Sequence, residues 1–312
     1  MVQDFKTRIP VQVQHTRQNP VFVIGLPRSG TTMLVRLIRK YFQINFGPES
    51  QFIDRYYHKL PAFGDLRDPN NLARLLEDIS TERYFQRTFK NFQFTLDKQA
   101  VLDQTAEPTY AGLLDSIFRQ FARQQHMERW GDKTPAYINC LPVLEELFPE
   151  AQYVHIVRDG RDVALSGYLM HFGAKNAYVA AKQWKQGLGQ VEAFAARMPA
   201  SRFIQFRYED LLTDPLPVMQ ALMEFLRIQD PQGELADYLQ DHLGADIKKA
   251  NFYKWKQKFS ETEQRIFEQE AGQYLTMYTY PKEFDALPKA GRLKKLYWEV
   301  DNQVKKSMRK DY

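Results

Sequence analysis

Val21-Phe-Val-Ile-Gly-Leu-Pro-Arg-Ser-Gly-Thr-Thr-Met-Leu-Val-Arg-Leu-Ile-Arg-Lys-Tyr41 decides the fold of this chain. Its first five residues form a short apolar run bounded by Pro20 and a Gly/Pro loop, which reads as a buried strand. From Thr31 the spacing changes, and Met33, Leu34, Leu37, Ile38 and Tyr41 recur as on one face of a helix. Strand, glycine-rich loop and helix in that order can turn backbone N–H groups toward an anion at the helix N-terminus, where the partial positive charge favours phosphate. The spacing is that of a P-loop, but Thr31 stands where a nucleoside triphosphatase carries its lysine, and the cation has moved forward to Arg28. A plain Gly/Pro turn is the competing reading, and the mechanical role each glycine takes in a cradle weighs against it.

Working outward, Gln152 to Val157 is a compact β-branched and aromatic run that ends in Arg158-Asp159-Gly160, a second strand-to-helix junction. Arg202 to Tyr208 alternates as a third strand, and Asp214 with Pro215 reads as a cap and first-turn pair for a helix reaching Leu226. Helices are expected over Leu72 to Lys90 with a break near Ser80, from about Thr109 to His126, and around Leu141 to Phe148. Trp130 to Pro135 reads as a Gly/Pro-bounded connection. Strands separated by helical segments predict an α/β fold, a P-loop-like, mostly parallel central sheet flanked by helices, with an added helical C-terminal portion. In that last portion, over about 290–310, Leu293, Leu296, Val300, Val304 and Met308 mark one stripe of a final helix. No internal repeat or low-complexity linker divides the chain. Asp230-Pro-Gln-Gly233 is not taken as a boundary, so residues 1–312 are expected to form one domain with its core over about 21–272.

Composition bounds the function. A chain of 312 residues with 44% hydrophobic content can bury a substantial core. No stretch has the unbroken apolar length that crosses a bilayer, and the polar start through Asp4, Lys6, Arg8, His15 and Arg17 lacks a signal-peptide core. Cys140 is the single cysteine, so no internal disulfide forms, and a cytoplasmic protein is expected. The formal charge of +5 suits a polyanionic ligand, whereas nucleic-acid binding lacks both a strong basic bias and a recognisable module.

Pro27-Arg-Ser-Gly-Thr-Thr32 resembles the phosphosulfate-binding loop of the sulfotransferase family, in the arginine-containing form of protein-tyrosine and many bacterial members. Val154-His-Ile-Val-Arg-Asp-Gly-Arg-Asp-Val-Ala-Leu-Ser166 makes the resemblance specific. The family sets an arginine at a strand end and a serine on the next helix to hold the nucleotide's 3′-phosphate, and Arg158 and Ser166 match those positions. A guanidinium grips a phosphate through two N–H groups, and the step to Ser166 spans about two helical turns. A surface ion pair of Arg158 with Asp162 is the bland alternative.

Gly131-Asp-Lys-Thr-Pro135 is similar to the family's lysine segment, which puts Lys133 against the donor's bridging oxygen, where negative charge grows as sulfur departs. Glu49, in Phe46-Gly-Pro-Glu-Ser50, resembles the glutamate base of the protein-tyrosine branch. His58 and His155 are the histidine alternatives, although His155 falls within a presumed strand. Phe206-Arg-Tyr-Glu-Asp-Leu211 resembles the segment whose tyrosine lies against the adenine, and Asn251 to Lys256 the late Trp-containing stretch that closes over the nucleotide.

The resemblance therefore implies a catalytic set of Arg28, Lys133 and Glu49. It implies a nucleotide-binding set of Arg28, Ser29, Gly30, Thr31, Thr32, Arg158, Ser166, Tyr208, Lys254 and Lys256. The donor it implies is 3′-phosphoadenosine 5′-phosphosulfate, leaving as 3′-phosphoadenosine 5′-phosphate, with a hydroxyl acceptor and no metal. Two rivals remain: a P-loop kinase or NTPase using Thr32 and Asp159 around Mg²⁺, disfavoured by the missing loop lysine, and a non-catalytic nucleotide-binding protein, in which degenerate loops would be expected. Neither the acceptor nor the oligomeric state can be read from the sequence.

Overall fold

A computed structural model describes residues 9–11, 13–171, 173–247, 252–284 and 287–308. The chain opens with β1 (Gln14–His15), β2 (Val21–Ile24), α1 (Thr31–Phe42) and β3 (Ile44–Phe46). Five helices follow, α2 (Ile53–Tyr57), α3 (Pro69–Ser80), α4 (Arg83–Phe92), α5 (Lys98–Gln104) and α6 (Tyr110–Gln124), before β4 (Arg129–Asp132). Next come α7 (Leu141–Leu147), β5 (Gln152–Val157), α8 (Gly160–Tyr168), α9 (Ala177–Ala195) and β6 (Phe203–Arg207). The last part holds α10 (Tyr208–Thr213), α11 (Pro215–Phe225), β7 (Ile228–Gln229), α12 (Glu234–Asp246), α13 (Trp255–Lys258), α14 (Glu261–Met277) and α15 (Arg292–Ser307).

The central sheet is parallel throughout, in the order β3-β4-β2-β5-β6, and β1 pairs with β7 in a separate antiparallel ribbon. Alternation along β2 explains the two covering layers. Phe22 and Ile24 pack with residues of α2, α3, α6, α7 and α9, while Val21 and Val23 pack on the opposite face with α1, α10, α11 and α12. A third cluster joins α8 and α9 to α13, α14 and α15 around Trp184, Trp255, Phe267 and Trp298. The expected α/β architecture is present, and the break in the second helical stretch falls at Thr81 and Glu82, between α3 and α4.

One local expectation needs correction. Trp130 to Asp132 is not a connection but most of β4, paired with both β2 and β3. Gly131 and Pro135 argue for a connection, yet Arg129, which opens β4, is fully buried and donates to Asn19 O, Leu226 O and Gln152 Oε1 at 2.7, 2.7 and 2.6 Å. Gly131 is there for space, since a Cβ would lie 2.4 Å from the Phe46 ring. Asp214 is the N-cap and Pro215 the first residue of α11, as expected, although the cap makes no side-chain hydrogen bond. In α15 the apolar stripe faces outward, and it is Trp298 and Asn302 that are buried.

Candidate active site

Parallel strands end on one edge, so the segments after β2, β3, β4 and β5 converge there, as in other open α/β sheets. After β2 the chain turns through Gly25 to Gly30. A Cβ on Gly25 would stand 2.8 Å from Ile156 O, and at Gly30, where φ is 98°, it would stand 2.3 Å from the Tyr208 ring. Arg28 also adopts a left-handed conformation, φ 74°, a strained choice for a side chain with a Cβ. Gly30 is the N-cap of α1, with no side-chain cap bond and no acidic residue in the first turn. The first amides of α1 are thus uncapped by any side chain, with Ser29 and Thr31 buried and Thr32 exposed beside them.

The residues expected from the two nucleotide motifs meet here. Arg28 Nε donates to Ser166 Oγ at 2.7 Å, and Arg158 Nη1 donates to the Arg28 carbonyl at 3.1 Å. Arg158 lies 4.6 Å from the centre of the Tyr208 ring and 3.6 Å from Asp162 Oδ2, so the anticipated ion pair exists within the same cluster. Asp162 Oδ1 accepts from the Trp255 backbone N–H at 3.0 Å, which fastens α13 to this junction. Lys254 and Lys256 lie exposed on either side of Trp255, and Lys256 rests over the rings of Tyr253 and Trp255. Asn251 lies outside the described residues.

Lys133 and Glu49 form the second half of the site, Nζ to Oε1 at 2.6 Å. Lys133 is nearly buried and follows directly on β4; Glu49 is half-buried on the turn after β3. Sequence reasoning missed what joins them. Asp132, the last residue of β4, accepts hydrogen bonds from Ser50 Oγ, Thr134 Oγ1 and the Lys133 N–H. Ser50 Oγ also shares a hydrogen bond with Tyr137 OH at 2.8 Å, and the Ile53 N–H donates to that same phenol oxygen. Burial pushes the Asp132 carboxyl up to about 6, against the opposing pull of these donors. The signal available in the sequence was only that Ser50 and Asp132 adjoin Glu49 and Lys133.

Neither histidine alternative occupies such a position. His58 is exposed and 3.4 Å from Asp54. His155 is buried in β5, hydrogen-bonded through Nδ1 to Gln205 Oε1, and burial lowers its pKa to about 4. Asp159, the acidic partner in the kinase reading, is buried and engaged: it caps α8 through the Arg161 N–H and binds the Arg161 guanidinium at 2.7 Å. Arg161 in turn reaches Glu268 at 2.8 Å and lies 3.5 Å from the centre of the Trp255 ring.

Beside Arg28 a pocket of about 150 Å³ is walled by Leu26, Pro27, Val163, Ala164, Gly173, Ala174 and Trp184. A more open groove of about 780 Å³ continues from Leu26 and Pro27 over Pro135, Ala136 and Ile138 to Gln183, Gln186 and Gln190. Among the described residues, Arg28 is the one ionised side chain lining either.

The model of a family described as the sulfotransferase family matches residues 20–232. Protein-tyrosine sulfotransferase 2 of Gallus gallus is 22% identical over 230 residues, covering 70% of this chain and 54% of that protein. The omega-hydroxy-beta-dihydromenaquinone-9 sulfotransferase Stf3 of Mycobacterium tuberculosis is 23% identical over 302 residues, 84% of this chain and 76% of its own length. The chain therefore spans about half the length of the first of these relatives. Among solved structures, the sulfotransferase domain from the curacin biosynthetic pathway shares the fold, with a TM-score of 0.54 and 22% identity over 85% of this chain and 99% of that one.

Proposed function

The chain belongs to the sulfotransferase family, and from that premise we propose that it moves a sulfuryl group from 3′-phosphoadenosine 5′-phosphosulfate to an uncharged hydroxyl acceptor. The observation that carries this reading is the contact of the two anion loops, Arg28 with Ser166 and Arg158 with the Arg28 carbonyl, over a helix N-terminus that no side chain caps. The fit to a nucleotide with phosphates at both ends rests on that arrangement. Amides of α1 and the Arg28 guanidinium face one anion, Arg158 and Ser166 the other, and Tyr208 offers a ring between them. The donor supplies a sulfuryl group bonded to a phosphate leaving group.

Glu49 takes the proton of the acceptor hydroxyl as its oxygen bonds to sulfur. Lys133 and Arg28 stabilise the negative charge that gathers on the bridging oxygen as the old S–O bond breaks. The ion pair of Glu49 with Lys133 holds both groups at one spot before substrates arrive; the reacting atoms then enter between them. Asp132, Ser50 and Tyr137 position the two turns that carry the pair. Lys254 and Lys256 border the nucleotide through the placement of α13. The groove that runs from Leu26 and Pro27 to Pro135, two residues after Lys133, receives the acceptor, and its apolar and amide lining favours a neutral molecule over an acidic peptide.

The test is incubation of the purified chain with sulfur-labelled donor and fractionated extract of its source cell. A labelled neutral alcohol, phenol or sugar is expected. Label transfer to no fraction, or release of inorganic phosphate from ATP in its place, would overturn the reading.

A further inference from the structure

α15 is amphipathic in the sense opposite to a packed helix. Leu293, Leu296, Tyr297, Val300, Val304 and Met308 are 84%, 61%, 66%, 54%, 44% and 67% exposed. At 3.6 residues per turn these positions fall on one stripe, on the side of the helix away from buried Trp298 and Asn302. The helix is 16 residues long, about 24 Å, so the stripe runs its whole length. An apolar stripe of this continuity on the outer surface requires an occupant other than water.

Charge decides which. Residues 289–307 carry six basic side chains, Lys289, Arg292, Lys294, Lys295, Lys305 and Lys306, against the acidic Glu299 and Asp301. Both acids are already paired, Glu299 with Lys182 and Asp301 with Lys305. Arg292 and Lys294 are exposed at the margins of the stripe. A second copy of the chain, docked stripe to stripe, would bring these basic margins against each other with little acid to offset them. An apolar face between cationic margins instead matches the boundary between headgroups and acyl chains of an anionic bilayer.

We propose that the outward face of α15 is a peripheral docking surface for anionic lipid membrane. The apolar stripe lies at acyl depth and Arg292 and Lys294 lie among the headgroups. The placement also bears on the pocket beside Arg28. The buried side of α15 holds the segment before α9: Asn302 Oδ1 accepts from the Lys175 N–H at 2.7 Å, and Asn176 Nδ2 donates to Trp298 O at 2.7 Å. Gly173 and Ala174, just before these contacts, wall the pocket beside Arg28, and Leu169 in the same connection is 76% exposed. A membrane-docked α15 therefore holds, through these two contacts, the segment that walls that pocket.

Co-sedimentation of the full chain with vesicles tests this without donor or acceptor, so its outcome is independent of the catalytic reading. Vesicles of phosphatidylcholine containing roughly one-third phosphatidylserine should bind the chain at least about tenfold better than phosphatidylcholine alone at low salt. Val300→Glu, placed at an exposed position, should lower that binding about tenfold with an unchanged melting temperature. Lys294→Glu should weaken binding to the anionic vesicles and leave the weak binding to neutral ones as it was. Failure of the chain to bind anionic vesicles, equal binding to both vesicle types, or wild-type binding by Val300→Glu would overturn the proposal. So would a dimer in light scattering that Val300→Glu dissociates while vesicles bind nothing, which would give the face to a second copy.

Discussion

β2 and β5 are adjacent parallel strands that end at the same edge and lead into α1 and α8, yet one junction is open and the other is filled. At the first, Gly30 caps α1 without a side chain and no carboxylate lies in the first turn. At the second, Asp159 caps α8, the Arg161 guanidinium fills the space behind it, and Glu209 accepts from the Asp159 N–H and from Tyr280 OH. The same supersecondary unit thus does two jobs. Backbone donors left without internal partners are available to an anion, whereas donors satisfied from within hold the neighbouring junction rigid. Arg158 is the exception that joins them: it belongs to the filled junction but reaches the carbonyl of Arg28 in the open one.

This contrast can be broken by substitution. The largest effect is expected beyond both junctions, on the turn after β3, where Glu49→Gln removes the proposed proton acceptor while keeping its size. Turnover should fall roughly a hundredfold to ten-thousandfold with nucleotide affinity nearly unchanged. Near-normal turnover in Glu49→Gln, with loss in His58 or His155 variants, would move the base to a histidine. On the filled side, Asp159→Ala leaves Arg161 with a single carboxylate partner, Glu268. Urea denaturation should show a loss of about 3–5 kcal/mol, and a loss below about 1 kcal/mol would mean the network is not structural.

Arg28→Ala sharpens the contrast from the other direction. Donor affinity and turnover should both drop, turnover by about a hundredfold, while unfolding free energy stays within about 0.5 kcal/mol because the side chain is exposed. A large stability loss with intact turnover would reverse the roles assigned to the two junctions.

How much of this was legible beforehand follows the same division. Both junctions could be read from β2 and β5, whose apolar runs and following Gly, Arg and Thr are local signals. β3 and β4 could not. Each is only three or four residues long, and β4 carries Arg129 and Asp132, whose burial depends on partners distant in sequence: Asn19, Leu226 and Gln152 for one, Ser50 for the other. The link between Glu49 and Lys133 was invisible for that reason, being a product of β3 and β4 lying side by side. The final helix was visible, but periodicity gives a face and not its direction, which is set by Trp298 and Asn302 packing on the segment before α9.

A smaller effect is expected from Asp132→Asn. The folded state holds this carboxyl at about 6 instead of the usual 3.8, so between those values the folded chain retains a proton that the unfolded chain has released. Wild-type stability contributed by this group therefore falls as pH rises through that window. The asparagine variant has no such charge, so its stability relative to wild type should rise across the window, by at most about 1.4 kcal/mol per pH unit, and level off above about pH 7. A pH-independent difference would contradict the burial assigned to Asp132.

The most direct test of the central claim is calorimetric titration of the purified chain with 3′-phosphoadenosine 5′-phosphate, ADP and ATP under one set of conditions. In the proposed reading Arg158 and Ser166 hold a 3′-phosphate that ADP and ATP lack, and the loop from Gly25 to Thr32 lacks the lysine that grips a γ-phosphate. The account predicts clearly tighter binding of 3′-phosphoadenosine 5′-phosphate, by about tenfold or more, with the preference lost in Arg158→Ala. Equal or tighter binding of ATP would contradict it.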